Sequence, residues 1–176
     1  VVIKEYNKLC IMKRVDVQGL PIAEDAKEEI RLHVALSRFR HPYIVQVYDV
    51  QEDESRLFVI LEYCALGELF AYVQASALSV EVARHYFRQL MEGVAFMHAK
   101  NVCHRDLSLE NLLLDSQKVL KICDFGVALE CPKGAWAQNK DPAKRPGKIK
   151  YMAPEVFALQ PYDPRRADVW SCGVIL

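Results

Sequence analysis

Three short signatures follow one another in the second half of the chain, and their order constrains it more than any other feature. His104-Arg105-Asp106-Leu107 is followed by Asn111, and Asp124-Phe125-Gly126 begins 13 residues beyond that asparagine. Ala153-Pro154-Glu155 closes the set, inside Tyr151-Met152-Ala153-Pro154-Glu155. Between the first two signatures lie apolar segments at 112–114 and 119–123, spaced as a small hairpin. That hairpin would carry Asn111 at one end and Asp124 at the other.

The rest of the chain divides into two halves. Residues 1–8, 44–50 and 57–63 are apolar or partly alternating and predict strands. Between them, Ala26, Ile30, Val34 and Leu36 fall near one face and predict a helix over 24–38, ended by His41-Pro42. After 62–67 helices take over. Ser79 can cap a helix running to about Lys100, with Val82, Tyr86, Leu90, Met91 and Val94 in one stripe. Residues 129–150 are polar, contain three prolines and predict a long loop.

A length of 176 residues fits one domain, or one domain cut short. With 52% hydrophobic and 26% charged residues, the chain is neither disordered nor fibrous. Lys plus Arg and Asp plus Glu are both 23, so net charge gives no ground for a nucleic-acid or membrane partner. The six cysteines form no Cys-x-x-Cys and stand at no zinc-ligand spacing with histidine, which predicts reduced, buried thiols. The start is unlike a signal peptide, and no apolar run approaches ~18 residues. A cytoplasmic location, alone or with the nucleus, is the expectation. Both ends fall inside apolar runs, so the chain is expected to be a fragment of a larger domain.

Taken together, the three signatures resemble the eukaryotic protein kinase family, over essentially all 176 residues. The resemblance implies an α+β, two-lobed protein-kinase fold truncated at both ends. The small lobe would lack its first strands, and the large lobe its last helices. Residues 1–61 would form a partial small lobe, 62–67 the hinge and 68–176 a partial large lobe. The implied activity is that of a protein serine/threonine kinase using ATP and Mg2+ on a protein substrate, with no regulator identified. Gly67-Glu68-Leu69-Phe70 looks most like the calcium/calmodulin-dependent or cyclic-nucleotide-dependent branches. A catalytically inactive interaction or scaffold module is the alternative. Intact Asp106, Asn111 and Asp124 speak against evolved inactivity.

Roles follow from the resemblance residue by residue. Val1-Val2-Ile3-Lys4 looks like the strand that carries the ATP lysine, so Lys4 would hold phosphates. Its acidic partner would be Glu29, with Glu28 or no ion pair as alternatives. Asp106 would accept the substrate proton, and Asn111 and Asp124 would hold magnesium. Val2 and Leu113 would sandwich the adenine, with Leu61 behind it and the Glu62 and Cys64 backbone at its edge. Glu68 would reach the ribose, and Glu110 is grouped with the nucleotide-binding residues. Cys64 and Cys123 would flank the pocket as accessible thiols.

The sequence departs from the family pattern in three further ways. It contains no Gly-x-Gly-x-x-Gly. Ser108 stands where serine/threonine kinases usually place a lysine, and Lys148 where they usually place a threonine, so Lys148 is expected to replace the missing cation as a catalytic residue. No Ser, Thr or Tyr lies between Val127 and Lys150, so Glu130 or Asp141 is expected to stand in for a loop phosphate near Arg105.

Overall fold

The computed structural model describes residues 2–3, 8–16, 22–52, 56–139 and 141–176. The first half builds a four-stranded antiparallel sheet from β1 (Val2–Ile3), β2 (Lys8–Asp16), β3 (Val47–Glu52) and β4 (Arg56–Glu62), in the order β1-β2-β4-β3. Helix α1 (Ile22–Ser37) connects β2 to β3. Its Leu32, His33, Leu36 and Ser37 are all buried, the 3–4 spacing of a helix with one face inward. The Ser37 hydroxyl accepts the Val47 backbone N–H at 2.9 Å, which fixes the helix end against β3.

The second half is mainly helical. A two-residue strand, β5 (Gly67–Glu68), which pairs with β7 (Leu112–Leu114) below, leads into α2 (Leu69–Ala75) and then α3 (Val80–Ala99). Ser79 caps α3 by accepting the Val82 N–H at 3.4 Å. Strand β6 (Val102–Cys103) follows, then the hairpin β7 (Leu112–Leu114) and β8 (Leu120–Ile122), then β9 (Leu129–Glu130), paired with β6. The short helix α4 (Pro154–Phe157) and α5 (Pro164–Ile175) complete the order.

One core joins the halves. Leu32 and Leu36 of α1 belong to the same buried cluster as Leu90, Val94 and Met97 of α3, Leu112 and Ile122 of the hairpin, and Cys172 of α5. The backbone is stitched across the same place. Val45 N–H donates to the Ile122 carbonyl at 3.0 Å, and Ile122 N–H to the Tyr43 carbonyl at 2.8 Å. Gly93 permits the approach of α3, since a Cβ there would sit 2.7 Å from Ile122 Cδ1.

The sequence expectations differ from this structure at three points. Of the expected strand over 1–8, Val2–Ile3 form β1 and Lys8 begins β2, the remainder lying outside the described residues; the long strand of the region is β2, over which no strand was expected. The strand expected from Ile44 begins at Val47, because Ile44 is bridged to Ile122 instead. The 129–150 loop holds β9 and two single 3-10 turns, Pro142–Lys144 and Ile149–Tyr151.

Candidate active site

The loop after β6 is anchored from below by a buried carboxylate. Asp168 of α5, 1% exposed, accepts the backbone N–H of His104 at 2.9 Å and of Arg105 at 2.8 Å, and lies 2.8 Å from His98 Nε2. His98, Cys103 and Asp168 come close enough to suggest a metal cluster, but three nitrogen partners already occupy that carboxylate. Arg105 has φ +66, a conformation that costs a non-glycine residue about 1 kcal/mol or more and concentrates at functional sites. The anchoring carboxylate holds it there.

Asp106 is presented by this loop with its carboxylate nearly filled. Oδ1 accepts the backbone N–H of Lys148 at 2.9 Å. Oδ2 accepts Asn111 Nδ2 at 2.9 Å and Lys148 Nζ at 3.0 Å. A carboxylate offers about four acceptor sites, so among the described residues one remains, on Oδ1. Asn111 Nδ2 also donates to the Asp106 carbonyl at 2.7 Å. The amide nitrogen is thus committed, and the amide oxygen is the atom available to a cation.

Asp124 follows β8 with φ +62 and an exposed side chain, its Oδ1 accepting the Gly126 N–H at 3.3 Å. The next residue, Phe125, is fully buried between two imidazoles. The His33 ring lies 4.5 Å and the His104 ring 5.1 Å from it, centroid to centroid. His33 Nε2 donates to the Val45 carbonyl at 2.6 Å, and His104 Nε2 to the Cys123 carbonyl at 2.9 Å. Burial holds the His33 imidazole down at about 4, against a partial opposing effect of the Val45 hydrogen bond. The neutral form is therefore the folded form, and an unfolded chain takes up the proton near pH ~6.5. Stability contributed by neutral His33 is complete above that pH and is lost as pH falls toward 4, by up to about 3 kcal/mol. Urea midpoints measured from pH 7 to 4 should fall more steeply for the wild type than for His33→Leu. Parallel curves would contradict the assignment.

Above the hairpin, Lys13 and Glu29 form an ion pair, Nζ to Oε1 at 2.5 Å. The sequence reading named Lys4 as the lysine. Lys4 lies outside the described residues, and the structure gives Glu29 to Lys13. Glu28, the alternative partner, binds Arg31 at 2.7 and 2.8 Å. The missed signal is Cys10-Ile11-Met12-Lys13, a second apolar triplet ending in lysine. Register explains how Lys13 comes to this place. In β2–β4, Ile11 lies opposite Leu61 and Lys13 opposite Val59, so all four share one face of the sheet.

That face roofs a cavity of about 380 Å³, lined by these four residues with Glu29, Ile30, His33, Val45, Glu62, Leu113, Cys123 and Asp124. Apolar roof and floor at one end and Lys13 with Asp124 at the other suit a flat ring bearing an anionic tail. Leu61, Glu62, Leu113, Glu29 and Asp124 are thus brought together as the sequence reading grouped them. Ile11 occupies the roof position expected for Val2, whose side chain lies outside the described residues. Cys64 is buried and Glu68 exposed at the start of α2, and neither lines the cavity. Glu110 is half-buried, with its Oε2 unpartnered among the described residues. The Glu62 side chain is held by Lys121 Nζ at 2.7 Å and the Gln46 N–H at 3.1 Å, which fixes the rear edge of the cavity. Cys64 is buried and is not the accessible thiol expected, while Cys123 is half-buried and lines the cavity. Burial pushes both up to about 12, so neither is a thiolate at neutral pH.

The segment from Gly126 onward closes the site. Lys148 Nζ bridges Asp106 Oδ2 and Ser108 Oγ, each at 3.0 Å. Glu130 does not meet Arg105 as expected. It pairs with Arg31 of α1 at 2.6 Å, and Asp141 caps the Pro142–Lys144 turn instead. The Arg105 side chain donates to the Val127 carbonyl at 2.7 Å and the Tyr162 hydroxyl at 3.3 Å. The Glu130–Arg31 pair spans 99 residues of sequence, a contact that no local pattern announces.

Comparison with known proteins agrees with this geometry. The family model described as protein kinase domain matches residues 1–176. The serine/threonine-protein kinases SAPK7 of Oryza sativa subsp. japonica and SRK2E of Arabidopsis thaliana are each 42% identical over 176 residues, covering 98% of this chain and 46% of those proteins. CBL-interacting protein kinase 16 of Oryza sativa subsp. japonica is 42% identical over 166 residues, 94% of this chain and 36% of that protein. The chain therefore spans less than half the length of these relatives. A carboxylate held by an asparagine and a lysine below a cavity with a second acid and an ion-paired lysine, matched along its whole length, places this chain in the protein kinase family.

Proposed function

We propose that the protein carrying this chain is a serine/threonine kinase. The observation that carries the reading is the Asp106 carboxylate. It is fixed by three donors, with one acceptor site left open, next to a cavity that pairs an apolar slot with Lys13 and Asp124. Magnesium-bound ATP would supply the γ-phosphoryl group. Asn111 and Asp124 offer the hard oxygen ligands that hold such a cation. Lys13, oriented by Glu29, would hold phosphate oxygens, and Ile11, Val59, Leu61 and Leu113 would enclose the ring. Asp106 orients a serine or threonine hydroxyl of a protein substrate and takes its proton. Little covalent chemistry is asked of the protein; positioning and charge neutralisation do most of the work.

The test is transfer of labelled γ-phosphate by the full-length protein to a generic protein substrate, followed by phosphoamino-acid analysis. Label is expected on serine or threonine. Lys13→Met should lower transfer by about two orders of magnitude, and Lys4→Met should change it little. Absence of transfer, or label on tyrosine alone, would overturn the reading.

A further inference from the structure

We propose that Lys148 is a catalytic residue, its ammonium neutralising the phosphoryl group in flight; this rests on the kinase reading above. Lys148 is held at two points. Its backbone N–H donates to Asp106 Oδ1 at 2.9 Å, and its Nζ donates to Asp106 Oδ2 and Ser108 Oγ at 3.0 Å each. An ammonium has three hydrogens, and two are used. Among the described residues the third has no acceptor, which leaves it for a phosphoryl oxygen, immediately beside the one acceptor site left on Asp106 for a hydroxyl. Base and cation thus each keep one open valence, on groups already in contact. Ser108 is buried and short, which leaves room for the ammonium over it. The Lys148 side chain is 38% exposed, so its head can follow a ligand.

In the transfer, the substrate oxygen bonds to the γ-phosphorus as the bond from that phosphorus to the β,γ-bridging oxygen breaks. The electron pair leaves on ADP, and the hydroxyl proton passes to Asp106. The negative charge carried by the phosphoryl oxygens stays beside the Lys148 ammonium throughout. A fixed cation at such a place typically contributes about a hundredfold in rate. A merely structural ion pair at this exposure would contribute little.

The test compares Lys148→Ala, Lys148→Arg and Lys150→Ala in the full-length protein. Lys148→Ala should lower kcat about a hundredfold with KM for ATP within about threefold. Tightening of ADP binding by fluoroaluminate, a mimic of the phosphoryl group in flight, should fall by a similar factor while binding of ADP alone is kept. Lys148→Arg should retain part of both, and Lys150→Ala should resemble the wild type. Ser108→Lys combined with Lys148→Thr should recover part of the lost rate. Equal, mild effects of Lys148→Ala and Lys150→Ala overturn the proposal, as does a kcat loss that leaves the fluoroaluminate effect intact. If wild type and Lys150→Ala both fail to transfer phosphate, the kinase reading itself falls.

Discussion

Asp106→Asn is expected to lower phosphate transfer by about three orders of magnitude while nucleotide affinity stays within about twofold. Asp106 is outside the set that lines the cavity, so it contributes to the reaction and not to holding the nucleotide. The amide also conflicts with its surroundings. Every contact to the Asp106 side chain comes from a donor: the Lys148 N–H on Oδ1, and Asn111 Nδ2 and Lys148 Nζ on Oδ2. An asparagine must turn its NH2 toward one side or the other, and either choice sets donor against donor. The expected cost in stability is about 1–3 kcal/mol. Single-turnover transfer and ADP titration, with melting as a control, separate the effects. Near-native turnover would remove Asp106 from its role.

The parts of the site that lie close together in sequence were legible in it. Asp106, Asn111 and Asp124 sit within one loop and one hairpin, so their spacing carries their geometry, and the hairpin 112–122 and helix 80–99 follow from apolar pattern and a serine cap. What failed was long-range. Two triplets, Val1-Val2-Ile3 and Cys10-Ile11-Met12, each precede a lysine, and only the pairing of β2 with β4 shows which lysine faces Glu29. The work of Asp168 on the His104 and Arg105 backbone depends on α5 packing under the loop. His33 lies within the helix expected over 24–38, and its contact with Phe125 needs both halves in place. Glu130 was assigned to Arg105 by analogy of charge, and the structure gave it to α1. That pair ties the closing segment to the helix that bears Glu29, without any hydroxyl to phosphorylate between Val127 and Lys150.

Gly147→Ala is expected to lower both stability and turnover far more than Gly134→Ala, although the two glycines share nearly the same backbone conformation. Their φ values are +81 and +86, so alanine pays the same left-handed penalty at each, about 1 kcal/mol. The surroundings differ. A Cβ on Gly134 meets nothing within 4 Å. On Gly147 it would lie 2.4 Å from the Arg105 carbonyl oxygen and 3.2 Å from Asp106 Cα. Those are backbone atoms of a loop pinned by Asp168, and they cannot swing aside as a side-chain tip would. Relief requires the 147–148 segment to back away. The Lys148 N–H then leaves Asp106 Oδ1, and the ammonium is drawn off Oδ2 and Ser108. We expect Gly147→Ala to cost about 3 kcal/mol and at least a hundredfold in kcat, against about 1 kcal/mol and no change in kcat for Gly134→Ala. Urea denaturation and steady-state kinetics on the paired variants check this. If both alanines behaved alike, the close approach of Gly147 to the catalytic loop would be wrong, and the positioning of Lys148 would lose its support.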